Sequence, residues 1–220
     1  MSRDPATDNV IVSYLTLRGV IGALGIALPF LVAIWGCVLL GDVRLLPSIS
    51  DYYSLRTRDV FVGVLVTVAW FLFTYRGYER KDDIAGNVAC LFALGVAFFP
   101  NSGGSLERVI HYVSAAGFFV TLAGISYFLF TKSGGSPTPE KLLRNRVYRA
   151  CAVVMVVCVL LIPLSQLAAG DTALARLSPV FWLETAALLA FGFSWFVKGE
   201  VILGDAVATP PSTSDLAASS

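Results

Sequence analysis

Residues Leu17–Leu40 read LRGVIGALGIALPFLVAIWGCVLL, a run whose sole charge is Arg18. A helix rises about 1.5 Å per residue and a bilayer's hydrocarbon core is about 30 Å thick, so such a run is long enough to cross it. The run is too long for the hydrophobic region of a signal peptide, and no small-residue cleavage site follows. It is therefore expected to remain as an uncleaved first span. Pro29 in its middle should kink the helix and free a carbonyl that a neighbour must cover. Gly19, Ala23 and Ala27 form a small-xxx-small ridge suited to close helix packing.

The rest of the 220-residue chain has the same character: 56% of it is hydrophobic and 14% charged. Soluble domains carry about 25% charged residues, so this composition leaves too little polar surface to face water. The expected class is all-α, a polytopic membrane protein built as a bundle of six transmembrane helices. A net charge of +1 argues against nucleic acid as a partner, because phosphate binding needs a concentrated basic face. Cys37, Cys90, Cys151 and Cys158 all lie in apolar runs with no CxxC and no Cys/His pair at metal spacing, so they read as small core or lipid-facing residues. No metal and no cofactor is expected.

Six apolar segments mark the spans at about 17–40, 59–75, 84–100, 106–130, 147–164 and 179–197. Asp83 is placed to N-cap the third, Ser105 the fourth and Ser178-Pro179 the sixth. Thr138-Pro139-Glu140 reads as a cap, first-turn proline and first-turn acid, predicting a short interfacial helix before the fifth span, which ends near Pro163. Asn87 is expected to be buried and bonded to a neighbouring helix. Ser114, Gly117, Thr121 and Gly124 give the fourth span a small packing face. Residues 1–204 form one domain, and 205–220, polar and rich in small residues, should be disordered.

Six spans put both termini on one side. That side holds Arg3, Arg18, Arg76, Arg80, Lys81, Lys132, Lys141, Arg144, Arg146, Arg149 and Lys198, whereas the other holds Arg44, Arg56, Arg58, Arg108 and Arg176. The excess places both termini in the cytoplasm, with a bacterial inner membrane as the expected location.

This topology gathers polar residues on the outer face. The connector Leu46–Asp59, LPSISDYYSLRTRD, lies there, with His111 about one turn into the fourth span and Glu184 roughly 7 Å below the outer end of the sixth. An ionisable group at that depth is costly and marks a functional hypothesis by default. The candidate outer cluster is Ser50, Asp51, Arg56, Arg58, Asp59, His111 and Glu184. Asp59 and Glu107 also fit as first-turn acids complementing helix dipoles, and the two arginines as charges at the headgroup level.

The segments PSISDYYSLRTRDVFVG, IHYVSAAGFF and FGFSWFVKGE resemble a group of uncharacterised bacterial six-span membrane proteins, a domain of unknown function. More distantly the chain is similar to the damage-regulated autophagy modulator type of membrane protein, in a Pro-x-Ile-Ser-Asp outer loop (Pro47, Ile49, Ser50 and Asp51) and an outer histidine (His111). The similar layout covers residues 17–200. Neither resemblance implies a reaction. A weaker likeness to alkaline ceramidases, which hold a zinc-activated water with three histidines, excludes that route here because the chain has one histidine. There is no GxSG-type serine motif with a histidine partner, no Glu-Glu pair and no potassium-channel filter.

Two classes of function fit. In the first, the outer pocket binds a lipid headgroup, small solute or partner without chemistry, with Arg56 and Arg58 engaging an anionic headgroup. In the second, an enzyme acts on a lipid-like substrate at the outer interface, with His111 as general base and Glu184 or Asp59 orienting it or holding a hard divalent ion. Proton-coupled transport through Glu184 is a third reading. The partners expected are the lipid bilayer and a lipid or small molecule at the outer face.

Overall fold

A computed structural model describes residues 5–77, 79–133, 136–169 and 177–203. Arg3, Tyr78, Arg176 and the 205–220 tail lie outside the described residues. The described chain is helical, without strands among its residues: α1 (Pro5–Leu40), a short 3-10 helix (Ser50–Ser54), α2 (Arg58–Thr74), α3 (Arg80–Phe98), α4 (Ser105–Gly124) running into a π-turn (Ile125–Leu129), α5 (Pro139–Ala169) and α6 (Pro179–Lys198).

Four of these are long and apolar enough to cross a membrane: α1, α4 with its π-turn, α5 and α6. The expectation of six spans is met only this far. α2 has 17 residues, and the first turn of α3 carries Arg80, Lys81, Asp82 and Asp83. The bundle exposes large apolar side chains on every helix face that lacks a neighbour. Ile34, Trp70, Leu91 and Leu160 are each more than 60% exposed, a surface compatible with lipid as its solvent.

Each helix packs against the next in the chain, and α6 returns to α1, so the six close into a ring in chain order. α6 is the most enclosed: 56% of its apolar window is buried, against 22% for α5. The α1–α6 crossing is close because both helices present glycine there. A Cβ on Gly22 would lie 2.7 Å from the Gly192 carbonyl oxygen, and one on Gly192 would lie 2.5 Å from that of Gly22. The packing ridge of α1 thus runs through Gly19, Gly22 and Gly25, so Gly19 of the expected ridge lies on it and Ala23 and Ala27 do not centre it. Ala23 is exposed, and the difference is a rotation of about 100° per residue around the helix. On α4 the small face is used as expected, with Ser114 against Gly95 and Gly117 against the Phe92 ring, although Gly124 faces open space.

Contacts at the two ends of the ring alternate along the chain. At the connector end, Phe181 N–H donates to the Pro47 carbonyl (2.9 Å), Ser178 Oγ bonds the Leu45 carbonyl (3.4 Å) and Asn101 reaches Asp51 (2.6 Å). At the opposite end, Tyr14 meets the Arg76 backbone, Lys132 bonds Asp82 (3.0 Å) and Glu79 (3.3 Å), and Arg144 bonds the Leu203 carbonyl (3.1 Å). Tyr75, Phe130, Tyr148, Phe191 and Trp195 fill the ring there as a chain of edge-to-face and tilted aromatic contacts, with centroids 5.3–6.4 Å apart.

Several helix starts differ from the sequence reading. α3 begins at Arg80, and Asp82 rather than Asp83 closes its first turn by accepting the Glu79 N–H (3.2 Å). Gly104, not Ser105, occupies the N-cap of α4, and Glu107 accepts its N–H (2.9 Å). Thr138 caps α5 as expected, its Oγ1 taking the Lys141 N–H (3.2 Å). The helix it opens is continuous to Ala169 with Pro163 inside it, so no separate interfacial helix forms. Ser178 sits at φ 49° and its hydroxyl turns to Leu45 instead of capping α6. Asn87 is exposed on α3, not buried.

Candidate functional site

The connector folds because Ser48 and Asp51 satisfy each other's backbone. Asp51 N–H donates to Ser48 Oγ (3.1 Å) and Ser48 N–H donates to the Asp51 carboxylate (3.0 Å), a reciprocal capping box at the start of the short helix. Thr57 Oγ1, fully buried, closes the far side on the Tyr52 carbonyl (2.6 Å). Tyr52 drives its ring against Gly36 of α1, where a Cβ would lie only 2.3 Å from the ring. Its buried hydroxyl accepts the Leu46 N–H (3.2 Å), and burial pushes the phenol above its ordinary value of 10.0. The connector is thus a plug seated in one end of the ring.

Three side chains from outside the plug fix it. Glu184 of α6 accepts the Ile49 N–H at 2.6 Å. Asn101, from the α3–α4 turn, donates Nδ2–H to Asp51 at 2.6 Å. His111 of α4, 1% exposed, places Nε2 3.0 Å from Ser50 Oγ and Nδ1 2.7 Å from the Phe99 carbonyl oxygen. A carbonyl only accepts, so Nδ1 carries the proton and Nε2 is left to accept from the Ser50 hydroxyl. The tautomer is therefore assigned by the bond network.

A cavity of about 770 Å³ opens beside these groups. Ser50, Asp51, Asn101, His111 and Glu184 form its polar end, and Phe119, Val159, Ile162 and Val180 its apolar wall. Tyr112 and Ala116 of α4 and Pro163 and Gln166 of α5 line it and are themselves exposed, so its mouth lies between those two helices. Phe119 is fourteen residues into α4, or about 21 Å along its axis, so the apolar wall reaches deep into the bundle.

Of the seven candidates, Ser50, Asp51, His111 and Glu184 come together. Arg56, Arg58 and Asp59 do not: all three are exposed, and Arg58 lies over the Tyr53 ring at 4.8 Å. None of the three lines the cavity. Among the described residues no group of three or more His, Cys, Asp or Glu is arranged to hold a metal. The serine partner for His111 exists without a GxSG motif, since the contact joins positions 61 residues apart. Asn101 and the Ser48–Asp51 box are absent from the sequence reading, although the Ser-x-x-Asp spacing was a visible signal for the latter.

Comparison with known proteins found no matching family model, no matching curated protein and no matching solved structure.

Proposed function

We propose that the chain is a six-span integral membrane protein whose extracytoplasmic end binds a single-chain amphiphile with a hydroxyl- or amine-bearing head. The observation that carries this reading is one cavity with two carboxylates, an amide, a hydroxyl and an imidazole at one end, and an apolar wall leading to a mouth between α4 and α5. Among the described residues no lysine or arginine lines it. A donor-rich, neutral or cationic head suits such an end, whereas a phosphate would face Asp51 and Glu184 unpaired. Cavities of about 300–1,000 Å³ hold ligands of this size.

The six-span arrangement is supported by the alternation of end contacts. α2 and α3, about 26 and 28 Å long at 1.5 Å per residue, run between the same two ends as the four longer helices. The excess of Lys and Arg at the opposite end supports cytoplasmic termini and an inner-membrane location.

Native mass spectrometry of the purified protein with monooleoylglycerol and with a long-chain alkylamine tests the reading. Binding of either at micromolar concentration is expected, with at least a tenfold loss in Ala116→Trp, which fills the mouth from an exposed position. Binding equal in Ala116→Trp and wild type, or absent from both, overturns it.

A further inference from the structure

Resting on that pocket reading, we infer that Ser50 is a nucleophile and His111 its general base, and that the bound amphiphile is an acyl ester of a neutral alcohol which the pair cleaves. The geometry is that of an activated hydroxyl. Ser50 Oγ is 3.0 Å from His111 Nε2, within the 2.6–3.2 Å expected of a nucleophile and its base. The Phe99 carbonyl, 2.7 Å from Nδ1, fixes the tautomer and the ring orientation, the role a carboxylate plays in a Ser-His-Asp triad. Asp51, next in the chain to Ser50, adds a negative charge whose field acts on the imidazole. That carboxylate is held in place by Ser48 N–H and Asn101.

A histidine that only braced a loop would need no space beside its serine. Here the cavity begins at the pair, since both residues line it, and its apolar wall runs away from them. An acyl chain lying along Phe119, Val159 and Ile162 brings its ester to the junction of wall and polar end, where Ser50 stands. The step balances without a metal or a redox partner. Ser50 Oγ forms a bond to the acyl carbon as its proton passes to His111 Nε2. The ester C–O bond then breaks, and the leaving alcohol takes that proton. Water next attacks the acyl-serine, gives a proton to Nε2, and the fatty acid departs as the proton returns to Ser50 Oγ.

The test uses the full chain in detergent with an alkyl fluorophosphonate, which captures an activated serine with loss of fluoride. One adduct is expected, mapped by tandem mass spectrometry to Ser50 and not to the exposed Ser102 or Ser105. Its rate of formation should fall by at least about 100-fold in His111→Gln, the low end of what a general base contributes. Ser50→Ala should form no adduct yet still bind monooleoylglycerol, and wild type should release oleate from that ester where Ser50→Ala does not. Monooleoylglycerol binding without an adduct on Ser50 overturns the nucleophile and leaves the pocket standing. Loss of both binding and labelling in wild type overturns the pocket as well. If His111→Gln does not fold, the wild-type map and the Ser50→Ala comparison decide alone.

Discussion

Replacing Glu184 with leucine isolates what holds the plug to α6. Its carboxyl oxygen accepts the Ile49 N–H at 2.6 Å, a bond between residues 135 positions apart. Leucine leaves that buried N–H without its acceptor, a loss of about 1–3 kcal/mol. Two neighbouring links survive, Phe181 N–H to the Pro47 carbonyl and Ser178 Oγ to the Leu45 carbonyl, as does the Ser48–Asp51 box. The plug should therefore remain docked and open locally more often, not unfold. At about 1.4 kcal/mol per factor of ten, hydrogen exchange at Ile49 should become faster by about 5- to 150-fold. Glu184→Gln keeps a neutral acceptor and should lose less than about tenfold. Hydrogen-exchange mass spectrometry resolving residues 46–53 makes the measurement, with helix α2 as the internal reference. Unchanged exchange at Ile49 in Glu184→Leu refutes the reasoning, and so does an equal acceleration throughout the chain.

Gly36→Ala puts a methyl 2.3 Å from the Tyr52 ring and should destabilise the protein by about 1–3 kcal/mol. Gly63→Ala, facing open space on α2, should stabilise it by about 0.5–1 kcal/mol, and midpoints of heated samples followed by size-exclusion chromatography compare the two. The hydrogen bond that Lys132 donates to Asp82 raises its ammonium above the ordinary value of 10.5, so the pair's stabilisation is complete below that value and is lost as pH rises through the elevated one. Wild type should exceed Asp82→Asn in thermal stability at pH 7–9, and the gap should close only in strongly alkaline buffer. A gap independent of pH would remove the ion pair as its cause. Ser126 and Ser194 bond each other at 3.1 Å in the core. Alanine at both should cost less than the sum of the two single changes by about 0.5–1.5 kcal/mol in a double-mutant cycle, and strict additivity would count against the bond.

The four long spans are legible in the sequence because hydropathy is a sum over many residues, and one misplaced position hardly moves it. Helix starts are less so. Glu79-Arg80-Lys81-Asp82-Asp83 offers several residues able to open α3, and the choice falls on Asp82, which also meets Lys132, fifty residues later. Ser178 has the right identity to cap α6 but spends its hydroxyl on Leu45. The depth of His111 and Glu184 follows from helix rise alone, and both do reach the connector. Their partners were not readable, because several are backbone groups. The Ile49 N–H and the Phe99 carbonyl have no signature in the side-chain alphabet, whereas Arg56 and Arg58 are conspicuous there and stay exposed.

That use of backbone partners divides the polar cluster by role. Glu184 and Asp51 are tied to the plug's fold: one oxygen of Glu184 holds Ile49, while Asp51 holds Ser48 and receives Asn101. Removing either carboxylate orphans a main-chain N–H. The Ser50 hydroxyl meets His111 and closes no turn, since the short helix starts through the Ser48–Asp51 exchange. Ser50→Ala breaks no main-chain bond but leaves the buried His111 Nε2 without its donor, and should cost about 1–3 kcal/mol of stability. Any effect it has on the bound ester beyond that belongs to chemistry at the cavity.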